Sequence, residues 1–167
     1  MKQYLFFILL LTIFSCRETN KRNIIQGDIY IKLIDVHSLY GLPSQKLEEF
    51  KQKVLKSNQN NHSESEKKLN RYFKILINHD LFNKPHFKLK TKEGKIINIY
   101  TSKKEYTKLA IHLKNFDRDE EKISVKFEGN KIPNNIIDTD SIFNQSIYYA
   151  KNIISVQKNA GVTDWAK

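Results

Sequence analysis

The chain of 167 residues holds one cysteine, Cys16, so no disulfide can form within it and the fold must rest on its apolar core. Arginine is also scarce, at Arg17, Arg22, Arg71 and Arg118, against a large excess of lysine. The arginine fork is the side chain that reads phosphates and guanine edges in pairs of hydrogen bonds. Its scarcity in so basic a chain argues against a nucleic-acid partner. No apolar run reaches the roughly 20 residues that a membrane-crossing helix needs. The sequence has no HExxH motif, no paired cysteines, no phosphate loop and no nucleophile elbow. No reaction class, metal or cofactor is indicated. No repeat of 20 to 50 residues is present either, which excludes solenoids and propellers.

What is present begins at the amino terminus. Met1-Lys2 gives a positive end, Leu5 to Phe14 is an apolar run broken only by Thr12, and Ile13-Phe14-Ser15-Cys16 follows. The run suits the apolar section of an export signal and is too short to span a bilayer. The four residues ending at Cys16 resemble the lipobox of bacterial lipoproteins: an aliphatic residue first, a small residue before the cysteine, then the cysteine itself. That resemblance implies cleavage after Ser15, transfer of a diacylglycerol to the Cys16 thiol, and acylation (palmitate or a similar chain) of the new amine. Two or three chains hold a soluble domain on a membrane, since each buried methylene contributes about 0.8 kcal/mol and one chain alone is marginal. The expected organisation is a signal over residues 1–15, a lipidated polar tether over 16–23 and a single domain over 24–167. About 150 residues suffice for one core, burying close to 70% of the unfolded surface.

Lysine, asparagine, isoleucine, phenylalanine and tyrosine are all plentiful, a bias that an AT-rich genome produces. Loss of Lys2 with the signal lowers the formal charge from +11 to +10. Such an excess favours anionic surfaces, with attraction that fades beyond roughly 10 Å at 0.1 M salt.

Along the domain, alternation over Asp28 to Val36 predicts a strand. Gly41-Leu42-Pro43 ends it, and Ser44 is placed to cap a helix whose apolar stripe is Leu47, Phe50, Val54 and Leu55. Ser63 and Glu66 have capping-box spacing ahead of a second helix with Leu69, Tyr72, Phe73, Leu76 and Ile77 on its buried face, ending near His79. Phe87 and Leu89 alternate with lysines before Glu93-Gly94 turns the chain into Lys95 to Thr101, a hairpin. Ser102 to Lys114 fits both a capped helix and an alternating strand, and its independent start signal favours helix. Ile123 to Phe127 predicts a strand closed by Gly129 to Pro133, and Tyr148 to Gln157 a last strand, with Trp165 pinning the tail. The expected fold is α+β, a mostly antiparallel sheet with helices packed on one face.

Lys88, Lys90 and Lys92 at period two predict a basic sheet face, joined by Lys32 and Lys126, with Tyr30 and Tyr100 as possible aromatic surfaces for sugar rings. Asp117, Asp119, Glu121 and Glu128 have the outline of a calcium loop, but Lys122 stands where that loop requires glycine, so no metal site is expected. Asp35, His37, His79, Asp80 and His86 are the acid–base candidates. Asp140-Ser141-Ile142 resembles the short O-glycosylation acceptor of exported Bacteroidetes-type proteins, which implies a glycan on Ser141. Gly27 to Leu33 and Ala150 to Val156 are similar to segments of small lipoproteins of that group. Arg17, rather than aspartate, follows the cysteine, which in other Gram-negative sorting systems implies the outer membrane. The expected function is a non-catalytic, lipid-anchored envelope module that contacts an anionic glycan, a lipid headgroup or an envelope protein. Two alternatives stand beside it: a small periplasmic or surface enzyme using the histidines and aspartates, and a protective protein that blocks an envelope-acting toxin or hydrolase.

Overall fold

The computed structural model describes residues 23–31, 39–57, 63–114, 121–134 and 145–160. Among them the hairpin is the simplest unit to explain. β2 (His86–Lys90) and β3 (Ile96–Thr101) pair antiparallel, from His86 opposite Tyr100 to Lys90 opposite Ile96. Thr91 N–H donates to the Lys95 carbonyl (2.8 Å), and Gly94 takes a φ of 76°, a left-handed conformation that costs a glycine little. Alternation then turns Phe87, Leu89, Ile97 and Ile99 to one side, where all four are buried.

That side is the inside of a barrel. β1 (Ile24–Ile31) pairs antiparallel with both β2 and β4 (Glu121–Ile132), and β5 (Ser146–Ala160) pairs antiparallel with β4 and parallel with β3. The strand order β1-β2-β3-β5-β4 closes on itself. The closed mixed barrel replaces the expected open, mostly antiparallel sheet with helices on one face. The physical reason lies in the helices. One of them, α3 (Lys103–Leu113), contributes Leu109 and Leu113 to the barrel's interior cluster, so it belongs with the inner surface of the sheet. The other two, α1 (Ser44–Lys56) and α2 (Glu64–Asn78), pack on the outside, around Tyr100 and Ile147. A sheet curled around one apolar surface and covered on part of the other has no single helical face. Five strands in this order, with the third and fifth parallel and a helix after the third, share the connectivity of the OB-type barrel.

β5 is bent to make closure possible. Lys126 lies opposite Ser155 and Phe127 opposite Ile153, which leaves Ile154 as an extra residue; Glu128 opposite Asn152 and Gly129 opposite Ala150 leave Lys151 as another. Such bulges sharpen local twist. Near them the buried Glu105 carboxylate of α3 accepts the Ile153 backbone N–H (2.7 Å) and the Lys108 ammonium (2.7 Å). Burial pushes the Glu105 carboxyl up, but the Lys108 and Ile153 hydrogen bonds and the nearby lysine charges outweigh it and hold the group below its ordinary value. The β4 strand also runs past Gly129, where the sequence suggests a stop: a Cβ at this position would press on the Tyr149 carbonyl oxygen.

The helix starts follow their caps. The Ser63–Glu66 box forms reciprocally, Ser63 N–H donating to Glu66 Oε2 (2.8 Å) and Glu66 N–H to Ser63 Oγ (3.3 Å), and α2 closes at His79. Ser102 Oγ accepts from Glu105 N–H at the start of α3. Ser44 is instead the first helical residue of α1, behind Pro43, and no side chain caps that end. No described helix is long and apolar enough to cross a membrane.

Candidate functional site

With Phe87, Leu89, Ile97 and Ile99 turned inward, the alternate residues of β2 and β3 form the barrel's outer face. His86 lies opposite Tyr100 and Lys88 opposite Asn98. All four are nearly closed off: Lys88 is 8% exposed, Asn98 3%, His86 7% and Tyr100 3%. His86 stacks on Tyr100, with ring centroids 4.9 Å apart and planes at 23°. The Tyr100 hydroxyl in turn shares a 2.8 Å hydrogen bond with Tyr72 of α2, which ties the outer helices to the strip. Among the described residues, neither the Lys88 ammonium nor the Asn98 amide has a hydrogen-bond or ionic partner. Tyr100, expected as a surface for a sugar ring, is thus committed to the packing against α2, while Tyr30 on β1 is partly buried.

Moving outward across β1, the face becomes wetter and more charged. Lys90 is partly buried opposite Asp28, and Asp28 accepts from Ser124 Oγ (2.6 Å) and pairs with Lys122 (2.9 Å). Lys126 lies opposite Gln26, on the far side of β1 from β2. The structure therefore brings Lys88 and Lys90 onto one strand face, places Lys126 beyond the intervening strand, and puts Lys92 in the exposed hairpin turn. Cys16, Lys32 and Ser141 lie outside the described residues, as do Asp35, His37, Asp117, Asp119 and Trp165.

The acid–base candidates are differently employed. His79 is the exposed end of α2, Asp80 pairs with Lys84 (2.6 Å), and His86 is the stacked ring of the outer strip. Glu121 and Glu128 both lie in β4, and Glu121 pairs with Lys158 (2.6 Å). Among the described residues no group of three or more His, Cys, Asp or Glu side chains could hold a metal ion.

Asn98 was the residue that sequence reasoning passed over. Its signal was available: a lone amide in the otherwise apolar run Ile96-Ile97-Asn98-Ile99. Comparison with protein families, with curated proteins and with solved structures returns no match.

Proposed function

We propose that the protein is a lipid-anchored, non-catalytic binding module of the cell envelope, held at the outer membrane through Cys16, whose barrel face takes an anionic group of a glycan. The observation that carries the reading is the pair Lys88 and Asn98: residues opposite each other and more than nine-tenths covered, whose ammonium and amide have no described partner and still reach solvent. A cation at the tip of a largely covered side chain forms a stronger charge-assisted hydrogen bond than one in open water. An incoming carboxylate or phosphate supplies the missing charge, and Asn98 offers a neutral donor beside it. Lys90 and Lys126 add attraction at longer range. OB-type barrels bind sugars and nucleic acids on the face of strands 2 and 3. That analogy of architecture agrees with the position of Lys88 but does not carry the argument. Scarce arginine and an export signal favour the glycan over nucleic acid.

Two measurements test the two halves. Mass spectrometry of native material should find Cys16 diacylated with the leader removed; a free thiol with residues 1–15 attached overturns the anchor. Binding of an acidic polysaccharide such as polygalacturonate, at low salt, should fall about tenfold in Lys88→Gln, the effect of losing one charge-assisted hydrogen bond of roughly 1.5 kcal/mol. Lys92→Gln should change it less than about twofold, as expected of a screened turn residue. Equal binding by Lys88→Gln and the unmodified chain overturns the site.

A further inference from the structure

A second feature, on different elements, points to a different ligand. Between α1 and α2 lies a hollow of about 190 Å³ whose walls are Phe50, Val54, Leu69 and Phe73. Phe50 and Phe73 meet edge to face, with centroids 5.3 Å apart. An apolar void of about 150 Å³ stays dry and binds a six-carbon ring. This one therefore has room for a chain of roughly six to eight carbons on the same scale.

The hollow is not uniformly apolar. Ser57 Oγ, at the end of α1, lines it and is buried with no hydrogen-bond partner among the described residues. Asn70 of α2 lines it too and is 7% exposed as a residue, but among the described residues its amide is not one of the sealed, unsatisfied groups, so it still meets solvent in the hollow. An unsatisfied buried polar group costs about 1 to 3 kcal/mol, so the idle Ser57 hydroxyl calls for a ligand atom, and the Asn70 amide is a further donor open to the same hollow. The charge at this wall comes from Lys53, which lines the hollow, is exposed, and has no ionic partner among the described residues. The only acid among the described lining residues, Glu66, is already engaged by the Ser63 backbone N–H (2.8 Å) and hydroxyl (2.9 Å). A second hollow, on the side of α1 toward Phe82, offers no such combination. Its Lys51 pairs with Glu48 (3.5 Å) and its Asp80 with Lys84 (2.6 Å).

We propose that the hollow between α1 and α2 binds a medium-chain fatty acid, its aliphatic chain against Phe50, Val54, Leu69 and Phe73 and its carboxylate against Ser57, Asn70 and Lys53. Three donors, one of them cationic, select a carboxylate over an amine. The volume covers about eight carbons of such a chain, which sets the length that the hollow can shield from water.

The test uses the full chain and titration calorimetry with sodium octanoate, butyrate and octylamine as probes. Octanoate is expected to bind saturably at one site, with butyrate and octylamine each at least about tenfold weaker, a difference of about 1.4 kcal/mol. Lys53→Gln and Ser57→Ala should each weaken octanoate several-fold without moving the thermal midpoint. Val54→Phe should fill the hollow and abolish binding. If Val54→Phe does not fold, the Asn70 side-chain amide resonances of the unmodified chain decide the matter: they should shift on adding octanoate and stay still on adding octylamine. Absence of saturable octanoate binding overturns the proposal, as does equal binding of octylamine or unchanged affinity in a folded Val54→Phe. None of these readings depends on Lys88, so the two proposed sites fail or stand separately.

Discussion

The inside of the barrel and the layer formed by α1 and α2 are both apolar, yet they are finished to different degrees. Inside the barrel, Phe87, Leu89, Ile99, Ile123, Val125 and Phe127 have no exposed surface at all. In the outer layer Phe73, Leu76 and Val54 are buried, but Phe50, Leu47 and Leu69 are only partly so, Leu55 is 43% exposed, and a hollow remains. The first core is closed on every side by hydrogen-bonded strands and capped by α3. The second is held by side-chain contacts and by the Tyr72–Tyr100 hydroxyl pair. Regions with few buried contacts open first, and ligand-binding parts are drawn from them. The contrast thus separates a rigid frame from a layer able to receive a ligand.

Paired truncations break or sharpen that contrast most strongly. Phe127→Ala should cost about 4 kcal/mol in urea unfolding, because the closed interior cannot collapse around the void; Phe73→Ala should cost about 2 to 3 kcal/mol, because the existing hollow lets its neighbours relax. Equal losses would show the two cores to be equally tight.

Next in size is Glu105→Ala, which leaves the buried Ile153 N–H without its acceptor and should cost about 2 kcal/mol, since Lys108 is 44% exposed and keeps Asn152 Oδ1 (3.3 Å). Its acid dependence has a definite sign. The folded carboxyl titrates below its ordinary value, so at mildly acidic pH the unfolded chain binds the proton first. The contribution of Glu105 is complete above the unfolded pKa and is lost as pH falls through the folded one. Urea midpoints measured from pH 6 down to pH 3 should therefore fall less steeply in Glu105→Gln than in the unmodified chain.

The smallest effect is Ser63→Ala, about 1 kcal/mol through loss of the α2 cap. Hydrogen exchange should show it as faster opening of α2 with the protection of β2 and β3 unchanged. Loss of protection in both would mean that the outer layer and the barrel open as one unit.

Local features were legible because their signals are local. The Ser63–Glu66 box, the Glu93-Gly94 turn and the Ser102 start of α3 each depend on residues a few positions apart, and each stands where the spacing placed it. Closure was not legible. It depends on β3 meeting β5 in parallel, some 50 residues away, and on the two extra residues in β5 that break its alternation, so that the inward residues Ala150, Ile153 and Val156 fall three apart instead of two. Gly129 reads as a terminator in one dimension, whereas in the fold it is the place where β4 passes too close to β5 for a side chain. The lysine strip was half legible: period two does put Lys88 and Lys90 on one outer face, but Lys88 is 8% exposed there, and alternation along one strand carries no information about how far its neighbours close over a side chain. The α1–α2 hollow was invisible, since Phe50, Val54, Leu69 and Phe73 read only as two ordinary helix stripes.

The position of β5 between β3 and β4 has a kinetic consequence. Before Ser146–Ala160 docks, the other four strands form a curved ribbon with raw edges at β3 and β4, and its apolar inner surface faces water. Such edges recruit other chains. Synthesised amino end first, this polypeptide cannot complete its barrel until the last described strand is available, and until then its safety depends on speed or on a chaperone.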